Sequence, residues 1–441
     1  MIVHQITVPK VHNHGDSMNA MPNTVTVAPA KSQAKFVPGS RTVIAKVAIG
    51  MFIGTMTFAS SAHETPSDGV YKDRVDWGVM MDMSGPTSGS QSIWANGFQD
   101  YMRKVNEAGG IHGRKVNVLT EDSRYNAATD KINYEKLVSQ TPVIAISGMG
   151  TSPAQVALAP TIKAGKVPIV GTYTPTKALN DPVSPMVYNG FCGYKEMAQV
   201  GIGHYVDTLK LKNPKIMTVS IESAGGKEYH EYVSELAAKY GGTAILTTMK
   251  VTAVDATPQV LEVLAAKPDL ITIYGVPNTA ILTMKGLTQY GAKIPAFGIT
   301  YLGAPQIFVA MGKQAGDNYA FVSCLTPGGA DQSAGNVEMS NFADKVGHGA
   351  MKDDVNYVGG WVIAQAAAES LQKVGPQPTR AKLVEYLNKG FTVDTKGLTA
   401  PITYTPTNHA GPTLLKVFDY DYTSKKFKSI GNYSDYQKYV K

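Results

Sequence analysis

From Val75 onward the chain alternates short apolar runs with stretches of helical periodicity, and this alternation narrows the possible folds more than any other feature. Residues 75–83, VDWGVMMDM, read as a buried strand. A helix follows, with Trp94, Phe98, Met102 and Val105 at 3.6-residue spacing, and Gly109-Gly110 ends it where a left-handed residue is wanted. The pattern then repeats: strand 115–122, helix 126–139, strand 143–147, helix 153–164, strand 167–171. Strands joined by helices of this length imply right-handed crossovers and a parallel sheet.

After a non-helical stretch at 182–194 a second series begins, with strands at 215–221, 243–249, 270–274 and 294–298 and helices at 227–240, 257–266 and 278–290. The fold class is therefore α/β, with two Rossmann-like lobes. The chain continues through YAFVSCLTPGG, residues 319–329, into helices at 355–373 and 378–389, and ends in a β-rich, Tyr-rich tail from Ile402. A length of 441 residues accommodates such an arrangement, and 43% hydrophobic and 17% charged residues with two Cys exclude a disordered chain or a disulfide scaffold.

The net charge of +7 invites a nucleic-acid reading until the charges are placed. Residues 1–62 hold Lys10, Lys31, Lys35, Arg41 and Lys46 against Asp16, so the remainder carries 36 basic against 33 acidic residues with no Lys/Arg run. Polyanion binding loses its electrostatic basis. The front reads instead as targeting: Arg41 and Lys46 precede the apolar run 47–58, which ends in Ala59, Ser60, Ser61 and Ala62. The run is too short for a membrane span. Cleavage after Ala62, export to the periplasm and a start at Met18 or Met21 are the expectations; no Cys near the cut offers a lipid anchor.

The segment MDMSGPTSGSQSIWANGFQDYMRKVNEAGGIHGRKVNVLTEDS, the loop SGMGTSPAQVALAP and the strand-turn VPIVGTYTPT resemble the opening of a type I periplasmic solute-binding protein. The nearest branch is the leucine/isoleucine/valine-binding type, which serves ABC importers, and the resemblance covers the whole chain after the leader. It implies two lobes joined by three hinge crossings that close on a small molecule. Here the crossings fall near 190–195, 323–328 and 398–405. The implied division is a leader 1–62, a first lobe 63–191 and 327–400, and a second lobe 192–326 and 401–441. The implied partners are a permease and an ATPase, with a monomeric carrier, no cofactor, no metal and no nucleic acid.

Sites in parallel α/β sheets lie at the carboxyl ends of strands, which directs attention to particular loops. Thr151, Ser152 and Pro153 open a helix, and the free N–H groups there with flanking hydroxyls suit a carboxylate. Plain capping explains this triplet taken alone. Thr172, Tyr173 and Thr174 follow the next strand, and by resemblance Thr151, Thr172 and Thr174 match the positions that hold the ligand's carboxylate; the two loops together favour binding. The loop 84–91 covers the site, with Ser88 and Ser90 as contacts, or else is a simple Gly/Ser turn. Tyr357, Gly360 and Trp361 open a long helix, where an aromatic is more often core than ligand wall.

The second lobe departs from the amino-acid-binding pattern. Ala224-Gly225-Gly226 stands where that pattern has a Tyr, leaving space, and Val276 stands where an aromatic is expected. Tyr301, with Thr300 and Leu302 as register alternatives, occupies the position of the acid that neutralises a ligand ammonium. The expected ligand is therefore a carboxylate without a required ammonium, aromatic or otherwise hydrophobic. Asp181 or Glu222 could restore ammonium recognition, leaving a branched-chain or other amino acid or amide as the alternative. A sensor domain feeding a receptor shares the same fold. Cys192 and Cys324 fall in adjacent crossings of an exported chain by the same resemblance, giving a disulfide or two separate buried thiols.

Enzyme motifs are missing. GMG at 148–150 lacks a third Gly and a following ribose-binding acid, no H-E-x-x-H or C-x-x-C spacing is present, and no G-x-S-x-G elbow surrounds Ser223 or Ser333.

Overall fold

The computed structural model describes residues 68–435. The expected leader, its cleavage after Ala62 and the alternative starts lie outside the described residues. The first series runs β1 (Arg74–Met81), α1 (Ser88–Glu107), β2 (Lys115–Asp122), α2 (Ala127–Glu135), β3 (Ile146–Gly148), α3 (Ser152–Lys163), β4 (Ile169–Thr172), α4 (Lys177–Asn180) and β5 (Val187–Asn189). Its strands form one sheet in the order β2-β1-β3-β4-β5, every pairing parallel, as crossover connections require. The register sets Arg74 opposite Lys115 and Met81 opposite Asp122, so the two strands end level and their following loops meet.

The second series runs α5 (Tyr194–Leu209), β6 (Lys215–Ile221), α6 (Ala224–Lys239), β7 (Thr243–Met249), α7 (Thr257–Ala266), β8 (Leu270–Tyr274), α8 (Pro277–Gln289), β9 (Ala296–Gly298), α9 (Pro305–Met311), α10 (Lys313–Gly316) and β10 (Tyr319–Ser323). The chain then returns to the first lobe with α11 (Ala334–Lys345), α12 (Val355–Val374), α13 (Arg380–Asn388) and the antiparallel pair β11 (Phe391–Val393) and β12 (Ile402–Tyr404). A closing hairpin, β13 (Leu414–Asp421) and β14 (Lys426–Asp435), completes the second sheet, ordered β14-β13-β10-β9-β8-β6-β7.

The first lobe is organised around the packing of α1 on α12. A Cβ on Gly97 would lie 2.1 Å from the Tyr357 carbonyl oxygen, and one on Gly360 would lie 1.9 Å from the Trp94 carbonyl oxygen. The two backbones therefore approach closely. α12 is buried along most of its length, and its Ile363 rests against Gly171 and Gly190, so it lies over the sheet. A helix apolar on all sides is the expected sequence for that position.

Three features differ from the sequence expectation. The apolar spacing marks neither the short strand β5 nor the helices α5 and α11: β5 has three residues between Pro185 and Gly190, and α5 mixes Gly201 and Gly203 into its apolar face. The third crossing comes later than 398–405. Tyr404 donates its hydroxyl to the Asn189 carbonyl at 2.5 Å, and the Asn189 N–H donates to the His409 carbonyl at 2.9 Å. The chain therefore stays on the first lobe through Gly411 and joins the second sheet at Leu414, which moves the boundary expected at 400/401.

The third difference is the disulfide. Cys192 and Cys324 do lie side by side, with the Cys192 N–H donating to the Cys324 sulfur at 3.3 Å, but both are free, buried thiols. The Cys192 sulfur turns instead to the Thr300 hydroxyl at 3.2 Å. Burial pushes the Cys324 thiol well above its ordinary pKa, so it is held as a neutral thiol.

Candidate functional site

The carboxyl ends of both sheets face one cavity. On the first lobe, the loop after β1 is held by Asp82, whose carboxylate accepts from the Thr87 N–H at 2.8 Å and the Thr87 hydroxyl at 2.6 Å. Gln91 then ties this loop to the next: its amide nitrogen donates to the Thr87 hydroxyl and the Gly150 carbonyl, both at 2.8 Å. A Cβ on Gly150 would collide with Gln91, so glycine is needed for that contact. Thr87, Ser90, Gln91 and Gly150 all line the cavity, as does Tyr125 from the turn after β2.

The next two loops contribute Ser152, Tyr173 and Thr174. The Thr174 hydroxyl donates to the Met149 carbonyl at 3.2 Å, and the Tyr173 hydroxyl donates to Asn356 Oδ1 at 2.8 Å. The second lobe adds Ile221 at the end of β6, Tyr274, Gly275 and Val276 at the end of β8, and Tyr301 after β9. Of the expected residues, Ser90, Ser152, Tyr173, Thr174, Val276 and Tyr301 thus meet in one place.

The other expected residues do not reach the cavity. Thr151 caps α3, accepting from the Ala154 N–H at 3.4 Å and donating to Asp130 at 3.1 Å. Thr172 donates to Asn189 Oδ1 at 2.7 Å, and Ser88 donates to the Gly85 carbonyl at 2.7 Å. Tyr357 bonds Asp100 at 2.7 Å, and Trp361 packs edge-on against Tyr101. Thr300 donates to the Val322 carbonyl at 2.9 Å, away from the cavity, and neither Asp181 nor Glu222 lines it. Gly225 sits just behind the wall, and the space expected there is filled: a Cβ on it would lie 2.1 Å from the Tyr274 hydroxyl. Tyr274, paired with Tyr194 through their hydroxyls at 2.8 Å, supplies the aromatic that the sequence reading looked for at Val276.

Thr87, Gln91, Tyr125, Gly150, Ile221, Tyr274 and Gly275 line the cavity without being singled out by the sequence, although Thr87 and Gln91 belong to the loop 84–91 expected to cover it. Tyr125, Ile221 and Tyr274 each stand at or just past a strand's carboxyl end, so the rule that found the Thr loops would have found them too.

No Asp, Glu, Lys, Arg or His is among the lining residues. Burial raises the phenol pKa of Tyr125, Tyr173, Tyr274 and Tyr301, so all four rings are neutral hydrogen-bonding groups at any ordinary pH. The lobes also touch directly. Tyr301 stacks on Tyr173 at 4.6 Å between centroids and donates its hydroxyl to the Tyr173 carbonyl at 2.7 Å. The Gly225 N–H donates to the Ser152 hydroxyl at 3.0 Å.

Two α/β lobes with an uncharged cavity between the ends of their strands are the arrangement of a solute-binding protein. The chain matches the family described as periplasmic binding protein over residues 75–426, and it belongs to that family, with the type I fold of the leucine/isoleucine/valine-binding branch. Among solved structures it is similar to a fatty acid ABC transporter substrate-binding protein from Thermomonospora curvata, at 20% identity over 84% of this chain and 94% of that one, TM-score 0.74. A branched-chain amino acid ABC transporter protein from Thermus thermophilus with bound valine is 18% identical over 84% and 99% of the two chains, TM-score 0.75. A solute-binding protein from Rhodopseudomonas palustris BisB5 in complex with 3,4-dihydroxybenzoic acid is 20% identical over 82% and 98%, TM-score 0.70. A comparison with curated proteins finds no match. No helix among the described residues is long and apolar enough to cross a membrane.

Proposed function

We propose that this protein captures a small carboxylate lacking an α-ammonium, aromatic or otherwise hydrophobic, and delivers it in the closed form to a membrane permease coupled to an ATPase. It acts outside the cytoplasm after removal of its leader, as a monomer, and performs no covalent chemistry. The observation that carries the ligand class is the uncharged cavity wall. A carboxylate there meets the amino-terminal end of the twelve-residue helix α3, which favours negative charge, and can draw the Ser90 and Thr174 hydroxyls away from the backbone carbonyls they bond in this structure. An ammonium in the same place would lack a carboxylate partner, and an unpaired buried charge costs several kcal/mol. The rings of Tyr125, Tyr274 and Tyr301 and the side chains of Ile221 and Val276 offer apolar surface to the rest of the ligand.

The bound dihydroxybenzoate and the fatty acid named for two structural neighbours agree with this reading; the valine of the third supports an amino acid as the alternative. The test is calorimetric titration of unfolded, washed and refolded protein with benzoate, a phenylalkanoate and leucine. Tight binding of an acid with no response to leucine is the expected result. Tight binding of leucine and of neither acid would refute the proposal.

A further inference from the structure

The second lobe grips the first at a place outside the cavity. Both carboxylate oxygens of Glu228, on α6, accept from the backbone N–H of Lys177, at 3.0 and 3.1 Å. Lys177 opens α4 directly after residues 173–176, the loop that carries Tyr173 and Thr174 into the cavity and whose Thr176 is pinned to Gln155 at 2.7 Å. One turn further along α6, Glu231 receives the Lys177 ammonium at 3.2 Å. The grip on the peptide N–H fixes the path of the ligand-bearing loop without touching any ligand.

We propose that Glu228 is a positioning residue that clamps the loop 173–177 when the lobes close, so that closure takes up a proton. With the lobes apart this carboxyl would stand in water; bonded across to Lys177 it is partly buried and loses part of that hydration. Burial is the largest influence on it and pushes its pKa up to about 7, Glu231 adds to the rise, and the amide and ammonium of Lys177 oppose it. The remaining groups that face it are the phenols of Tyr194 on α5, Tyr232 on α6 and Tyr274 at the end of β8, all raised further by burial and silent near neutrality. Asp130, also pushed up to about 7, is bonded to Thr151 within the first lobe, so it titrates alike in both forms.

The sign follows from linkage. A carboxyl that holds its proton more tightly closed than open favours closure as pH falls, and that advantage is lost as pH rises through the closed-form pKa. With the open-form carboxyl near its ordinary value, the closed-to-open ratio rises on the order of tenfold from about pH 8 to about pH 6. The inference rests on the reading of the protein as a carrier that closes, not on which solute it takes.

Dyes placed through Ile132→Cys on the first lobe and Val254→Cys on the second report closure by energy transfer, both parent positions being well exposed and both native thiols buried. Ligand-free protein is followed across that pH range in the labelled parent, in Glu228→Gln and in Glu231→Gln, with circular dichroism confirming that each is folded. Transfer that climbs with acid in the parent and in Glu231→Gln but stays flat in Glu228→Gln is the expected result. A flat parent profile, or a slope that survives in Glu228→Gln, overturns the proposal. Repeating the series with benzoate and with leucine separates the two readings: a slope that persists while benzoate causes no closure sinks the ligand class alone.

Discussion

Thr151 and Ser152 are adjacent hydroxyls at one helix start, and they do different work. Thr151 faces inward, capping α3 and bonding Asp130, whereas Ser152 lines the cavity and accepts the Gly225 N–H from the opposite lobe. Thr151→Val should therefore lower stability by about 1–2 kcal/mol and leave ligand affinity nearly unchanged. Ser152→Ala should do the reverse, keeping the melting temperature while weakening binding by roughly 5- to 30-fold, because the closed form then buries an unpaired N–H. Thermal melts beside calorimetry on both variants check the pair, and equal effects on affinity would place Thr151 at the ligand after all. The sequence showed that hydroxyls cluster after β3 and β4. It could not show which of them point outward, because a hydroxyl that caps a helix and one that meets a ligand have the same spacing and the same chemistry. Tyr274 was missed for a different reason: it ends β8, where the strand-end rule points, but attention fell two residues further on, at Val276.

At the level of elements, what could be read were the long periodic segments. α1, α12 and the strands of both series stand close to where their apolar spacing places them, since burial of one face dictates that spacing. β5, β11 and β12 have three residues each and are each held by a single neighbouring strand, β5 at the edge of its sheet and β11 paired with β12, so propensity alone carries little signal. The contact of α1 with α12 gives the sharpest expectation here. Gly360→Ala would push a methyl group into the Trp94 carbonyl, with backbone on both sides and no flexible side chain to yield. A loss of about 2–4 kcal/mol is expected, despite the better helix propensity of Ala. Urea unfolding measures it, and a variant as stable as the parent would mean that the helices can separate without penalty.

Over the whole molecule, the two-lobed α/β plan was legible and the last crossing was not, because the tail reads as one β-rich stretch while its first hairpin belongs to one lobe and its second to the other. The hinge thiols follow the same logic. Family resemblance brought Cys192 and Cys324 together correctly, but side-by-side crossings fix only proximity, and the Cys192 sulfur is turned toward Thr300. Denatured, unreduced protein should release two thiols per chain in a colorimetric assay; none would mean that the bridge forms.

The late return of the chain also bears on the order in which the molecule is born. Synthesis delivers β1 to β5 early, yet α12, which lies over their sheet, is made only after the whole of β6 to β10. The second sheet in turn waits for β13 and β14, the final strands. For most of translation both lobes therefore hold bare apolar faces that only distant, later segments can cover. Such a nascent chain is a natural client for holding factors, and release before Val355 leaves neither lobe finished.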